Sequence, residues 1–416
     1  MTTMHSIEIM SPAGSFASLH TAINAGAHAV YFGIEQLNMR ARAANNFRIT
    51  DLPEIVRICN EKKVKTYLTV NTILYDHDLV LMKKICDAAH AAGVTAIIAS
   101  DVAALQYAHS IGLEIHISTQ QNVSNIEAVR FFAQFADVIV LARELTLNQI
   151  KKIIQQITEE KITGPHGELV RIELFAHGAL CVAISGKCYM SLATQNASAN
   201  RGACTQNCRR TYRVIDEENG EELVLDNKYV MSPKDLCTIG FLDQILAAGV
   251  SVLKLEGRGR SSDYVHVVTK CYREAADAVQ HGTYTAEKIK DWTTQLEGVY
   301  NRGLWHGGYY LGKQLGEWSG QYGSHSTKQN EYIGHVTNFF RKVDVGEFLL
   351  DSGDLAIGEE ILITGDTTGV IKYTITEIFV NEKPVTKALK GDTVTFKVPG
   401  RIRLSDKLFV IRDRNT

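Results

Sequence analysis

The sequence of 416 residues lacks the features that define several protein classes. It has only 6 prolines, no run of consecutive apolar residues long enough to span a bilayer, and a formal net charge of −2. Collagen-like chains need far more proline, and a membrane-spanning helix needs about 20 apolar residues, so we expect neither. Because the net charge is close to zero, any contact with nucleic acid must come from a local basic patch.

Three familiar catalytic motifs are also missing. No GxGxxG follows the first predicted strand, which argues against a dinucleotide-binding sheet. The zinc-protease motif HExxH and the serine-hydrolase motif GxSxG do not occur. A peptidase built on this chain would therefore need another nucleophile or another metal site.

The N-terminal residues and the cysteines indicate in which cellular compartment we expect the protein. Residues 1–10 contain no basic start followed by an apolar core, so they do not resemble a secretory signal, and we expect a cytoplasmic protein. The chain has 8 cysteines, five of them between Cys181 and Cys237. Cytoplasmic thiols stay reduced, so such clustering favours metal binding or catalysis over disulfides.

Short apolar runs alternate with amphipathic stretches over residues 1–280. Strands that alternate with helices imply parallel pairing and right-handed crossovers. Eight such units predict an α/β fold, a (β/α)₈ TIM-type barrel, with a doubly wound open sheet as the alternative. The predicted strands are Ile7–Met10, Ala29–Gly33, Lys65–Asn71, Ala96–Ser100, Glu114–Ser118, Val138–Ala142, Arg171–Ala176 and Val252–Leu255.

The sequence changes character after residue 300. The stretch Gly303–Gly323 is rich in glycine and aromatic residues, which predicts a connector. From Tyr332 onward, short strand patterns separated by turn signals predict a small all-β barrel. We therefore expect a barrel over 1–300 with a Cys-rich insertion at about 178–250, a connector over 301–330, and a C-terminal β-barrel domain over 331–416.

The cysteines of the insertion are candidate metal ligands. Their spacings, C-x6-C, C-x15-C and C-x3-C, lack the paired C-x2-C knuckles of a zinc ribbon. Four thiolates can hold a zinc ion or an iron–sulfur cluster, and buried, inert cysteines are the alternative. That alternative is the prediction for the helix cysteines Cys59, Cys86 and Cys271. The candidate ligands are Cys181, Cys188, Cys204 and Cys208.

Basic residues cluster around the same insertion and at the end of the eighth strand. Arginine binds carboxylates and phosphates well, and the loops after strands seven and eight of such barrels often bind phosphate. A solvated charged face is the alternative. Arg210 and Arg213 belong to the cluster. The predicted substrate-binding residues are Arg201, Arg209, Lys254 and Arg258.

Two residues at strand ends are candidates for proton transfer. His177 ends the seventh strand, and Glu256 follows Lys254 at the spacing that places both on one face of a strand. A histidine buried in the core and an ion pair inside the barrel are the structural alternatives. Position alone also places Asn71, Gln120 and Arg143 at the barrel mouth.

Several motifs, in order, resemble the signature of the collagenase-like peptidase family U32 over residues 5–280. The central motif reads Glu173-x-Phe175-x-His177-Gly178-Ala179-x-Cys181, then Ser185-Gly186-x-Cys188, then Asn200-Arg201-Gly202-x-Cys204-x-x-x-Cys208-Arg209. The flanking matches are Ser11-Pro12-Ala13-Gly14, Met231-Ser232-Pro233-Lys234-Asp235-Leu236-Cys237 and Lys254-Leu255-Glu256-Gly257-Arg258. The C-terminal part is similar to the β-barrel appended in many members.

For activity, the resemblance implies two alternatives. The family takes its name from collagenolytic activity, which implies a peptidase that hydrolyses peptide bonds. Several members instead carry out oxygen-independent hydroxylation of tRNA wobble uridine, of ribosomal RNA or of ubiquinone precursors. The chain length and the C-terminal barrel are similar to the tRNA branch, so we expect formation of 5-hydroxyuridine in tRNA.

The same branch implies cofactors and partners. Its signature cysteines hold a 4Fe–4S cluster, and its tRNA-hydroxylating members take the hydroxyl group from prephenate. The matching cysteines are the four candidate ligands above, with Cys237 as a fifth candidate and zinc as the alternative metal. We expect tRNA as a partner, an anionic co-substrate at an arginine-lined mouth, and no membrane attachment. The sequence does not indicate an oligomeric state.

Overall fold

The computed structural model describes residues 7–42, 44–212, 215, 217–220, 231–313 and 317–414, so Arg213 lies outside the described residues. The first sheet consists of β1 (Glu8–Pro12), β2 (Ala29–Phe32), β3 (Lys65–Val70), β4 (Ala96–Ala99), β5 (Glu114–Ile117), β6 (Val138–Val140), β7 (Arg171–Gly178), β8 (Asp235–Cys237), β9 (Val252–Leu255) and β10 (Leu304–His306).

Eight of these strands close into a parallel barrel. Strands β1 to β7 pair in chain order, and β9 pairs in parallel with both β7 and β1. This closure confirms the predicted TIM-type barrel and excludes the open doubly wound sheet. The helices are α1 (Phe16–Asn24), α2 (Leu52–Glu61), α3 (Leu79–Ala92), α4 (Val102–Ser110), α5 (Ile126–Ala133), α6 (Leu147–Glu159), α7 (Met190–Gln195), α8 (Leu242–Ala247), α9 (Ser262–Gln280) and α10 (Ala286–Glu297).

Local sequence signals fix where the helices begin and end. The side chain of Ser15 caps α1, that of Asp101 caps α4, and that of Thr146 caps α6 by accepting from a backbone N–H. Gly93 ends α3 in the left-handed conformation that glycine adopts without a steric penalty. None of the described helices is long and apolar enough to cross a bilayer.

The barrel interior contains both apolar and charged side chains. Met10, Tyr31, Tyr67 and Ile98 belong to one packed cluster. Side chains alternate along each strand, so residues two positions away face the same interior. The charged or titratable residues of the interior include Glu8, His116, Glu173 and Lys254, all buried.

An irregularity near the end of β7 decides which way His177 points. Phe175 pairs with Lys254 and His177 pairs with Leu255, so the register shifts between Phe175 and His177. A bulge of this kind interrupts the alternation of side chains. Glu173 reaches Lys254 inside the barrel, whereas His177 packs toward α9.

Strands β8 and β10 extend the sheet beyond the barrel and were not predicted. Strand β8 runs antiparallel to β7, with Cys237 opposite His177, and β10 pairs in parallel with β8. The returning segment of the insertion is thereby tied to the strand from which the insertion starts.

The predicted all-β C-terminal part is confirmed. Its strands are β11 (Lys328–Phe340), β12 (Val345–Leu349), β13 (Leu355–Ala356), β14 (Glu360–Gly365), β15 (Gly369–Thr374), β16 (Ile378–Val380), β17 (Lys383–Val385), β18 (Lys387–Ala388), β19 (Thr393–Lys397) and β20 (Lys407–Asp413). Eight of them form an antiparallel sheet in the order β15-β14-β20-β11-β12-β19-β16-β17. Phe348 and Phe396 stack in its core with centroids 4.4 Å apart, and Gly369 approaches Thr21 of α1.

Candidate active site

A cavity of about 370 Å³ lies at the carboxyl ends of the barrel strands, where barrel enzymes place their reaction sites. Its floor includes Tyr31, Thr69 and Lys254 from the strands. The Cys-rich insertion supplies one wall. The cavity is also lined by Asn71, Gln120 and Arg143, three residues expected at the barrel mouth because they follow strand ends.

Backbone contacts dock the insertion onto the barrel loops. The Ile73 N–H donates to the Asn200 carbonyl, and the Arg42 N–H donates to the Gly202 carbonyl. Gly202 has φ +85°, and a Cβ there would lie 2.3 Å from the Asn38 carbonyl oxygen. Only glycine fits both this conformation and this close approach. The loops after β2 and β3 therefore position the cysteine-bearing wall.

Four cysteines of the insertion line the cavity together. They are free thiols, Cys181 exposed and the other three half-buried. Burial raises the pKa of Cys188 and of Cys208, and the charges of neighbouring thiols raise both further. At Cys208 the adjacent Arg209 acts in the opposite direction. The four predicted ligands, Cys181, Cys188, Cys204 and Cys208, thus converge on one space.

Cys237 occupies a different environment. It is fully buried beside Tyr272, with Sγ 4.0 Å from the phenol oxygen, and burial raises its pKa to about 11. It does not belong to the described lining of the cavity. The structure therefore separates this fifth candidate from the other four.

The thiol arrangement bears on which metal group fits. Within the described ranges, no three His, Cys, Asp or Glu side chains are arranged around a single metal ion. A zinc ion with four sulfur ligands at about 2.3 Å requires sulfur atoms about 3.8 Å apart. A 4Fe–4S cluster binds each cysteine through a different iron, so its ligands lie farther apart. The four thiols supply the number and kind of donors that either group requires, and the choice between a cluster and zinc stays a prediction.

The cavity is strongly basic. Arg209, Lys254 and Arg258 line it as predicted, and Glu256 is the only carboxylate in the described lining. Cations outnumber carboxylates in this lining, which favours an anionic ligand. The other lining cations are Arg40, Arg143, Arg260 and Arg302.

Glu256 is held as a carboxylate by the groups around it. Its Oε1 accepts from Arg40 Nη2 at 2.8 Å, and its Oε2 accepts from the Tyr31 hydroxyl at 3.0 Å. Burial raises the pKa of Glu256, but the charges of Arg40 and Arg258 outweigh burial and lower it. The side chain therefore carries a negative charge at neutral pH.

Buried Arg258 and half-buried Arg209 bond to neutral acceptors. Arg258 donates to Thr69 Oγ1 at 3.0 Å and to Asn38 Oδ1 at 2.7 Å. Arg209 donates to the carbonyls of Pro233 and Leu180, both at 2.6 Å. Burial lowers the pKa of Arg258 to about 10, so it stays charged at neutral pH. Among the described residues, neither guanidinium has a direct contact with a carboxylate, which leaves both able to attract an anion.

Arg201 lies outside the described lining of the cavity, and its substrate-binding role stays a prediction. It bonds to Asp78 at 2.7 Å and stacks on the Tyr75 ring at 3.9 Å. It also donates to the Ile73 carbonyl at 3.1 Å. These contacts hold the insertion against the loop after β3.

His177 also lies away from the described lining. Its Nδ1 is 3.4 Å from the Tyr272 hydroxyl, and its ring packs against Tyr264. Burial lowers the pKa of His177 to about 3, with the charge of His306 acting in the same direction. The bulge in β7 gives the physical reason for this orientation. The proton-transfer role stays a prediction, and the contacts favour a structural role.

Three cavity residues had no assignment from the sequence. Arg40 comes from the long loop after β2, where only a polar loop was predicted. Arg302 and Tyr300 come from the segment after α10, and Arg260 stacks on Tyr300 at 3.6 Å. Arg302 bonds to Asp235 of β8 at 3.3 Å. These contacts join distant segments, which neither periodicity nor spacing indicates.

Fold and site together define a barrel enzyme with a Cys-rich, cation-lined reaction cavity. Residues 14–320 match the family model described as Peptidase family U32. The chain therefore belongs to this enzyme family, as the sequence motifs indicated.

Curated relatives of this chain have two kinds of name. It is 54% identical to a protein named collagenase from Porphyromonas gingivalis, over 98% of both chains. It is 31% identical to tRNA hydroxylation protein P1 of Bacillus subtilis, over 80% of this chain and 77% of that protein. It is 37% identical to the 23S rRNA 5-hydroxycytidine C2501 synthase of Escherichia coli, over 66% of this chain and 40% of that protein.

Proposed function

We propose that the protein is an RNA-modifying hydroxylase that forms 5-hydroxyuridine at the wobble position of tRNA without molecular oxygen. The observation that carries this proposal is the convergence of four cysteines and seven cations on one cavity. Relatives named for hydroxylation of tRNA and ribosomal RNA support the same class of substrate.

The four cysteines are the proposed ligands of a 4Fe–4S cluster. They are free, they share one space, and they lack the arrangement of a single-metal site within the described part of the chain. When bound, such a cluster supplies electron transfer or a Lewis-acidic iron at the cavity wall. Arg209 beside Cys208 adds a positive charge that favours the thiolate form.

The lining cations are the proposed contacts for anionic groups of the substrates. An RNA phosphate and a dicarboxylate such as prephenate both suit arginine and lysine. Lys254 and Arg258 lie at the strand ends and Arg209 lies on the insertion, so they approach the cavity from two sides. The exposed ring of Tyr189 on the insertion provides a surface on which a base can stack.

For proton transfer, Glu256 is better placed than His177. It lines the cavity and is ionised, so it can accept a proton. Its contacts with Arg40 and Tyr31 also hold those two side chains at the floor. His177 lies behind the site and is neutral at physiological pH.

A peptidase is the second candidate, and the 54% identity to a relative named collagenase favours it. The chain nevertheless lacks the two common hydrolase motifs. Four thiolates around one zinc ion would leave no open position for water. Gelatin hydrolysis that survives both Cys181→Ala and Cys204→Ala would indicate a peptidase site unrelated to the cysteines.

The cluster is tested by purifying the protein without oxygen and measuring iron, sulfide and visible absorption. We expect Cys181→Ala to lose the absorption and most of the iron. Cys59→Ala is the matched control, since Cys59 is buried on α2 away from the cavity, and it should keep both. An iron-free wild-type protein that binds zinc would overturn the cluster assignment.

The reaction is tested by deleting the gene and analysing tRNA nucleosides by mass spectrometry. We expect 5-hydroxyuridine derivatives to fall and to return with the wild-type gene but not with Cys181→Ala. Unchanged nucleosides, in a strain without a second hydroxylase, would contradict the tRNA assignment.

A further inference from the structure

Lys254 is a cation at the cavity floor in an enclosed environment. Its ammonium lies 4.7 Å from the centroid of the Tyr31 ring and 5.6 Å from that of Phe175, and only 7% of the side chain is exposed. Its Nζ bonds to Glu173 Oε1 at 2.8 Å. One buried carboxylate therefore determines where this ammonium sits.

Among the described residues, only one of the two carboxylate oxygens of Glu173 takes part in a hydrogen bond. The side chain is fully buried, and its Oε2 has no hydrogen-bond partner among the described residues. This oxygen faces His116 Nδ1 at 3.5 Å. Burial raises the pKa of Glu173, but the charges of Lys254 and His116 outweigh burial and lower it.

His116 lies between two carboxylates inside the barrel. Its Nε2 is 3.6 Å from Glu114 Oε1, and its ring is 4.3 Å from that of Tyr67. Neither ring nitrogen has a hydrogen-bond partner within the described ranges. Burial lowers the pKa of His116, but the two carboxylates outweigh burial and raise it. The titratable groups facing this ring or its carboxylates are Glu114 on β5, Glu173 on β7, Tyr67 on β3, Glu8 on β1, Lys254 on β9, Lys65 and Arg171.

Stability does not explain this arrangement. Replacing a buried ion pair by apolar residues of similar volume is often neutral or stabilising. Barrel interiors are usually filled by apolar residues, such as Met10 and Ile98 here. A buried lysine, glutamate and histidine in contact, with the lysine lining the cavity, therefore point to a role in that cavity.

We propose that Glu173 and His116 are positioning residues for Lys254. His116 keeps Glu173 ionised, and Glu173 holds the Lys254 ammonium as a fixed cation that contacts the anionic group of the substrate. The proposal rests on the proposed function only for the identity of that anion. The position of the Lys254 ammonium beside Glu173 is a property of the protein alone, and its effect on the reactivity of this lysine is measured without any substrate.

The first test is acylation of lysines in the anaerobically purified protein at neutral pH, quantified by peptide mass spectrometry. Exposed Lys390 is the internal reference. We expect Lys254 of the wild type to be acylated much more slowly than Lys390, because Glu173 holds its ammonium in the enclosed floor. In Glu173→Gln the ratio of the Lys254 rate to the Lys390 rate should rise at least about tenfold, because a charge-assisted hydrogen bond no longer holds the ammonium.

Glu8→Gln is the matched control variant. Glu8 is a buried interior carboxylate that pairs with Lys65 and Arg171, and it has no direct contact with Lys254. We expect this variant to change the ratio of the Lys254 rate to the Lys390 rate much less than Glu173→Gln does. Equal changes in the two variants, or no change in Glu173→Gln, would overturn the proposal.

The second test is an NMR titration of the histidines, and the wild-type protein is sufficient for it. We expect the pKa of His116 to lie above the ordinary value of 6.5, and Glu173→Gln to lower it, because one of the two carboxylates that raise it is lost. A wild-type His116 that titrates at or below the ordinary value would overturn the proposal even if Glu173→Gln does not fold. Failure of the tRNA nucleoside assay would leave both tests intact, so the two proposals can fail independently.

Discussion

Replacing Glu256 by glutamine removes the negative charge that faces Arg40 and Arg258 at the cavity floor. Removing one partner of a buried ion pair costs roughly 3–5 kcal/mol, because the other charge stays buried. The Arg40 side chain is 32% exposed, so water takes over part of the lost interaction. The amide oxygen of glutamine can still accept one of the two hydrogen bonds. We therefore expect the free energy of unfolding to fall by about 2–3 kcal/mol at neutral pH.

The pH dependence of this loss follows from the pKa of Glu256. Burial raises that pKa, but Arg40 and Arg258 lower it below the unfolded-state value of 4.5. The folded protein therefore binds this proton more weakly than the unfolded chain does. The stabilisation is fully present above the unfolded-state pKa and is lost as pH falls through the folded-state pKa. The difference between wild type and variant should be constant near neutral pH and should shrink in acid.

The measurement is urea denaturation of wild type and variant at neutral and acidic pH. The control is Glu54→Gln on α2, where the bond to Arg57 at 2.7 Å joins two side chains that are each at least half exposed. That variant should unfold like the wild type. The reasoning would be refuted if Glu256→Gln matched the wild type at neutral pH, or if its deficit stayed the same in acid.

Three further predictions follow from the geometry. Gly178→Ala should lower the temperature of thermal denaturation, because φ is +106° and the new Cβ would lie 2.5 Å from the Glu256 carbonyl oxygen. Gly167→Ala is the control for backbone strain alone, since Gly167 has φ +82° and open space around it. Arg201→Ala should be cleaved faster within the insertion during limited proteolysis, because the bond to Asp78 at 2.7 Å is lost. A cleavage rate equal to that of the wild type would contradict the inference that Arg201 holds the insertion in place. His177 should show no NMR titration between about pH 5 and pH 8, since burial lowers its pKa to about 3.

Much of the barrel could be predicted because its strands are buried on both faces. Such strands appear as short apolar runs, and the predicted Lys65–Asn71 differs from the observed Lys65–Val70 by one residue. Strands β8 and β10 have three residues each, too few for a periodic pattern. They form only because the insertion returns to the end of β7.

The site was predictable where motifs and strand ends determine it. The four cysteines and Lys254 converge as expected, because loops that follow parallel strands meet at one end of the barrel. Arg40 and Arg302 were missed, since their contacts depend on loop paths that no local pattern encodes. His177 was expected at the mouth, but one register shift in β7 turns its ring toward α9, and alternation alone cannot reveal such a bulge.

The strand that closes the barrel, β9, also begins the segment that supplies Lys254, Glu256 and Arg258 to the cavity. During synthesis, the seven earlier strands and the cysteine insertion emerge from the ribosome before it does. A nascent chain therefore carries the four thiols before it contains Lys254, Glu256 or Arg258. Tyr300 and Arg302 leave the ribosome later still, so the lining of the cavity is complete only after the segment that follows α10 has been synthesised.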